Sequence, residues 1–195
     1  MTPPRLLIII ASTRPGRIGL PVGLWFEQRA RARGGFEVEV ADLAELRLPL
    51  MDEPNHPRLR QYTHEHTRRW SATVEAADAF ALVMPEYNYS YTAPLKNALD
   101  YLHQEWNNKP VGIVSYGGVA AGARAAVALA PVLVALQMRP LALAVQIPFV
   151  AQFLDEEGEI HGNEVMDQAA DAVLAELERL AGWFRGLRGS AGTDG

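Results

Sequence analysis

Residues 79–100 read AFALVMPEYNYSYTAPLKNALD. The first six, Ala79–Met84, are all apolar and stop at Pro85, which is the length and composition of a buried strand. Thr92 followed by Ala93 and Pro94 reads as a helix start, because a threonine hydroxyl can cap the first turn and proline is tolerated inside it. Strand, loop and helix thus follow one another within a single short stretch. The loop between them, Pro85–Tyr91, holds three tyrosines, an asparagine and a serine.

Working outward, four more apolar runs have strand character: Leu6–Ala11, Phe36–Ala41, Val111–Ser115 and Leu141–Ile147. The first, third and fourth of these are nearly continuous in apolar residues, as strands are when helices cover both faces of a parallel sheet. Phe36–Ala41 alternates with Glu37 and Glu39 and predicts a strand nearer a sheet edge. Helical patterns fill the gaps at Gly19–Arg33, Arg58–Ala77, Ala93–Gln104, Gly122–Gln137 and Asn163–Arg185. The alternation predicts a doubly wound α/β sheet with right-handed crossovers. One domain is expected over residues 1–186, with the Gly/Ser-rich 187–195 as a disordered tail.

The 195 residues are 49% hydrophobic and 21% charged, enough apolar material for one full core. A net charge of -5 gives no reason to expect nucleic acid. The absence of cysteine removes disulfides, thiol nucleophiles and thiolate metal sites, so redox chemistry here would need a bound cofactor. The run from Ala128 to Ala151 is broken by Gln137, Arg139, Pro140 and Gln146 and does not read as a membrane span. The N-terminal run is too short for a signal peptide, so a cytoplasmic protein without a membrane partner is expected. The histidines show no ligand spacing; His64 and His66, two apart on an expected helix, should face different ways, and no metal is expected.

In open α/β sheets ligands sit beyond the carboxyl ends of the strands. Three loops lie there. Ser12-Thr13-Arg14-Pro15-Gly16-Arg17-Ile18-Gly19 brings hydroxyls, arginines and glycines to a helix start, which suits a phosphate. It lacks the order of a P-loop or of a dinucleotide fingerprint. Pro85–Thr92 offers tyrosine faces with Asn88, Ser90 and backbone amides for the edge of a heterocycle. Ser115-Tyr116-Gly117-Gly118-Val119-Ala120-Ala121-Gly122 lets backbone approach a planar ligand closely, ahead of another helix start. Each loop also has a plainer reading as a surface turn or a tyrosine staple. Lys96, Asn97 and Asp100 read as structural, and Arg68, Arg69 and Trp70 as a solvated helix face.

The segment Pro85–Tyr101 resembles the signature of the NADPH-dependent FMN reductases, a group that includes quinone, azo-dye and chromate reductases. The loops at Ser12–Arg14 and Ser115–Gly118 match the group's other two FMN-contacting stretches in order. The resemblance implies a flavodoxin-like fold, a five-stranded parallel sheet in the order 2-1-3-4-5 with helices on both faces. It implies FMN as cofactor and NAD(P)H as reductant in a ping-pong hydride transfer, followed by two-electron reduction of a flavin, quinone or related small-molecule acceptor. It further implies that Ser12, Arg14 and the backbone of Arg17, Ile18 and Gly19 hold the phosphate. Pro85, Glu86, Tyr87, Asn88 and Ser90 would lie along the ribityl chain and ring, with Ser115, Tyr116, Gly117 and Gly118 at the pyrimidine edge. No side chain is expected to act as an acid or base, and a homodimer or homotetramer is usual in the group.

Three positions depart from the pattern. Arg17 stands where a small hydroxyl residue is common, Ala121 replaces one of a glycine pair, and Ala93-Pro94 precedes Leu95-Lys96-Asn97 where glycine is common. The rivals are a flavodoxin-type electron carrier and a non-catalytic flavin-binding module. Arg14 and Arg17 favour the reductase, since carriers typically use hydroxyls in this loop.

Overall fold

The computed structural model describes residues 2–190. Five parallel strands, β1 Arg5–Ile10, β2 Glu37–Asp42, β3 Ala79–Pro85, β4 Pro110–Tyr116 and β5 Arg139–Ile147, form one sheet in the order β2-β1-β3-β4-β5. This is the expected order of a flavodoxin-like sheet. Six helices connect or follow the strands: α1 Gly19–Arg33, α2 Leu43–Leu46, α3 Glu65–Ala76, α4 Ala93–Asp100, α5 Ala123–Ala135 and α6 Glu164–Ser190. Residues 191–195 of the expected tail lie outside the described residues, and α6 continues to Ser190.

The period-two geometry of β1 divides the core. Leu6 and Ile8 pack with Val22, Phe26, Leu174 and Leu177 under α1 and α6. Leu7 and Ile9 pack with Trp70, Leu95, Leu99 and Leu129 under α3, α4 and α5. Each such fully buried aliphatic side chain contributes about 1.5–3 kcal/mol, so a sheet covered on both faces is the favoured end state for so apolar a set of strands.

Three expectations about elements are corrected. The helix expected over Arg58–Ala77 begins only at Glu65. A single turn at Pro57–Leu59 closes at Arg60, whose φ is 51°. The Glu53 carboxylate then accepts from the Thr63 N–H at 2.8 Å and the His64 N–H at 3.0 Å, capping the helix from ten and more residues upstream. The helix expected to reach Gln104 ends at Asp100, because the Trp70 and Trp106 indoles take the Ala98 and Leu99 carbonyls. β5, whose apolar run resembled a doubly covered strand, is an edge strand with Pro140, Ala142 and Leu143 exposed.

Two smaller expectations change with α3. Trp70 does not lie on a solvated face: it is 1% exposed and its ring packs against Trp106. His64 precedes the helix, so its ring is free to stack on His66, with centroids 5.2 Å apart.

Candidate functional site

The order of the sheet places the ends of β1, β3 and β4 side by side, and their three loops meet there. In the first loop, the Arg17 N–H bonds the Arg14 carbonyl, and Gly16 supplies the positive φ of 69° that this turn needs. Ile18 precedes α1 without a side-chain cap. The first-turn N–H groups therefore point outward without a partner among the described residues, which makes this helix end attractive to an anion.

Gly19 is required by what lies beneath it. A Cβ there would stand 2.5 Å from the Tyr116 hydroxyl oxygen and 3.1 Å from the Ser12 Cβ. Ser12 is itself buried, and its Oγ lies 3.2 Å from the Tyr87 hydroxyl oxygen, joining the first loop to the second. Burial raises the Tyr116 pKa, as does the neighbouring Tyr87, so this phenol stays protonated under the helix start.

The two arginines of this loop part company. Arg14 is exposed and has no ion-pair partner among the described residues. Arg17 turns to Asp42 at the end of β2, with both side chains mostly buried. Its charge is thereby balanced, which narrows the argument for a reductase to Arg14. The Arg17 Nε is buried without a hydrogen-bond partner, a donor for which the protein supplies no acceptor.

The second loop is a tight hairpin. Tyr87 and Ser90 exchange both backbone hydrogen bonds at 2.9 Å, with Asn88 at φ 49° and Tyr89 at φ 68° between them. That is a mirror-image two-residue turn with no glycine, and a tyrosine in this region is held at a cost of roughly 1 kcal/mol or more. The compensation comes from Arg124, at the start of α5. Its guanidinium lies 3.8 Å from the Tyr89 ring centre and pairs with the Glu86 carboxylate. The Arg124 N–H also donates to Glu86 Oε2 at 3.2 Å. Behind the hairpin, Thr92 accepts from the Leu95 N–H and donates to the Ala11 carbonyl, fixing α4 to the end of β1.

The third loop closes the site. Ser115 is fully buried and spends its hydroxyl on the Ala121 carbonyl at 2.8 Å. Gly122, at φ 80°, could not carry a side chain, since a Cβ would come within 2.7 Å of the Ser115 Cβ. The Gly117 N–H is taken by the Ile147 carbonyl, whereas the N–H groups of Gly118, Val119 and Ala120 have no protein partner among the described residues. Open space lies where a Gly118 Cβ would be.

Ser12, Arg14, Ile18, Gly19, Glu86, Tyr87, Asn88, Ser90, Gly117 and Gly118 thus converge on one region. Arg17 lies in the same loop, but its N–H is spent on the Arg14 carbonyl and its side chain on Asp42, so its backbone does not offer the donor expected of it, while Ser115 and Tyr116 lie underneath. Asp42 and Arg124 were not singled out by the sequence. Arg124 carried a readable signal: a cation in the first turn of a helix opposes the helix dipole unless an acid stands near.

Outside this site, Asp155, Glu159 and His161 bring three ligating atoms within 4.8 Å of one another. Asp155 is occupied there by the Glu159 N–H and the His161 ring, which hold its turn together.

Residues 4–152 match the family of NADPH-dependent FMN reductases. An NAD(P)H-dependent FMN reductase of Schizosaccharomyces pombe is 41% identical over 121 residues, 61% of this chain and 60% of that protein. Another, from a Nectria species, is 34% identical over 184 residues, 91% of this chain and 86% of that protein. Among solved structures, a flavoenzyme NAD(P)H:(acceptor) oxidoreductase from Paracoccus denitrificans has a TM-score of 0.70 at 20% identity, covering 94% of this chain and 98% of that one, a likeness of fold. With the family match spanning most of the chain and the expected loops meeting at the ends of β1, β3 and β4, this protein belongs to the NADPH-dependent FMN reductase family.

Proposed function

We propose that the protein binds FMN across these three loops and uses NAD(P)H to reduce a small acceptor such as a flavin or a quinone. One observation carries the reading. Unsatisfied N–H groups at the start of α1 and in the loop after β4 face a common region that the tyrosine hairpin borders. A monophosphate on a flat ring system has that distribution of acceptors.

The residues fit such a group. Arg14 and the free amides of Gly16, Ile18 and Gly19 would hold the phosphate, and the orphaned Arg17 Nε offers a further donor. Tyr87, Asn88 and Ser90 would border the ring. FMN, when bound, supplies the capacity to accept a hydride and return two electrons. The protein orients it and sets the local charge. The Gly118, Val119 and Ala120 N–H groups and the positive end of α5 favour negative charge at that edge. Gly117 takes no part in this, because its N–H is bonded to Ile147. No side chain at the site is placed as a proton donor or acceptor, and none is assigned that role.

Names of relatives point the same way, being NAD(P)H-dependent FMN reductases in the cases given above. No helix among the described residues is long and apolar enough to cross a membrane. We extend the proposal to a cytoplasmic protein and, on the strength of exposed Val127 and Val134 on α5 and exposed Leu143 on β5, to a homo-oligomer.

The test is reconstitution. Protein incubated with FMN and desalted should retain flavin absorbance bands that NADPH or NADH bleaches under anaerobic conditions. A quinone should then restore them. Loss of all flavin on desalting overturns the proposal, and retained flavin that neither nucleotide bleaches would mark an electron carrier instead.

A further inference from the structure

Next to the first loop lies a cavity of about 340 Å³ that the FMN reading leaves unused. Thr13 forms one side, the start of α4 at Pro94 another, and the segment carrying Leu43, Leu48 and Leu50 a third. The walls are largely hydrocarbon, and the volume is in the range of small-ligand sites. Arg47 also lines it. This arginine is exposed and, unlike Arg17 and Arg124, has no carboxylate partner among the described residues.

The cavity is held open by structure rather than left loose. Arg47 ends α2 in a left-handed conformation at φ 48°, its N–H bonded to the Leu43 carbonyl. Such a conformation is uncommon outside glycine, asparagine and aspartate, and it persists where the surroundings enforce it. From α4, Asn97 fixes the residues that follow. Its amide donates to the Pro49 carbonyl at 2.7 Å and accepts from the Met51 N–H at 2.9 Å, so the segment from Pro49 to Met51 is pinned along the cavity's rim. Leu50 meanwhile stays 83% exposed, an apolar side chain that nothing among the described residues covers.

A ligand suited to this place has a flat apolar part and a phosphate. It also arrives beside Thr13, the residue between the two first-loop groups assigned to FMN. We infer that this cavity receives the 2′-phosphoadenosine end of NADPH, with the purine against Leu48, Leu50 and Pro94 and the 2′-phosphate on Arg47. A guanidinium is the natural reader of a dianionic phosphate, and the neutral 2′-hydroxyl of NADH would leave it unused. The inference rests on the reductase reading and assigns the residue that would make the enzyme prefer one nucleotide.

The test uses the FMN-loaded full chain and a probe that cannot react. Calorimetric titration with adenosine 2′,5′-bisphosphate and with 5′-AMP should show the bisphosphate binding roughly tenfold or more tightly, the reach of one charge-assisted contact. Arg47→Gln should abolish that preference, and Arg47→Lys should restore part of it. In turnover, the NADPH-to-NADH ratio of kcat/KM should fall about tenfold in Arg47→Gln, through KM rather than kcat. Far-UV circular dichroism and FMN affinity equal to wild type establish that the variant is folded. Equal binding of the two probes by wild type, a preference that survives in Arg47→Gln, or exclusion of both probes because a second copy covers Leu50 would each overturn the inference. If wild type oxidises neither nucleotide, the reductase reading fails on its own, and the calorimetric arm still decides whether the cavity reads a 2′-phosphate.

Discussion

Arg124 is the residue on which the hairpin most depends. It faces the Tyr89 ring, pairs with Glu86 and closes the first turn of α5 onto the same carboxylate. Removing it strands an acid that is 8% exposed beside the expected flavin edge. Arg124→Ala should weaken FMN binding roughly tenfold or more, the scale of one lost charge-assisted contact, as read by quenching of flavin fluorescence. Adding Glu86→Gln should recover part of that loss, because the stranded charge is what costs most. Equal affinity for wild type and Arg124→Ala would refute the clamp. Gly19 offers a second test at this scale. Gly19→Ala puts a Cβ 2.5 Å from the Tyr116 hydroxyl oxygen, an overpacking that costs about 1–3 kcal/mol. Denaturant melts should show Tyr116→Phe partly rescuing Gly19→Ala, since it deletes the clashing atom. These two residues also mark what sequence could and could not reveal. The loop glycines and tyrosines were legible because turn and ring chemistry is local. The pairs Arg17–Asp42 and Glu86–Arg124 were not, because their partners come together only when different strands are laid side by side.

Among the elements, α3 and α4 depend on a loop that carries no regular structure of its own. Asp52 holds the Tyr101 hydroxyl at 2.9 Å and the His66 ring at 3.0 Å, while Glu53 caps α3 through Thr63 and His64. Periodicity alone extended α3 back to Arg58, since nothing local in the sequence says that the cap arrives from Glu53. Burial pushes the Glu53 carboxyl up, yet the Thr63 N–H and its neighbours outweigh it and hold the group at about 2, against an ordinary value of 4.5. The sign of the consequence is fixed by that depression. The stabilisation is complete above the unfolded value and fades as pH falls from about 4.5 through about 2. Glu53→Gln should cost about 1–2 kcal/mol at pH 7, a Tm drop of roughly 3–6 °C. The gap between wild type and variant should narrow as the melts are repeated from pH 5 down to pH 3. A gap that stays constant over that range would mean that the carboxylate charge is not what caps the helix.

At the scale of the molecule, the sheet order is what assembles the site; alternating strands and helices predicted a doubly wound sheet, and the strand order itself came from the resemblance carried by Pro85–Tyr101. What the alternation concealed was the edge. The apolar run of β5 looked like a strand covered on both sides, yet β5 ends the sheet, and Leu143 is 46% exposed. Next to it, α5 carries no polar side chain from Ala125 to its end at Ala135, and Val127 and Val134, seven residues apart on one stripe, are 74% and 63% exposed. The excess of apolar residues thus has a physical explanation if a second copy covers this face, because a two-fold axis can pair a helix stripe with itself. Sedimentation velocity should then show wild type as a dimer or a larger assembly. The double variant Val127→Glu/Val134→Glu should sediment with lower mass, since each copy would place like charges across the axis. Its far-UV circular dichroism should match wild type, because both positions point away from the core. A double variant that keeps the wild-type mass would move the subunit contact to another face, and a wild-type monomer would leave this stripe open to a different partner.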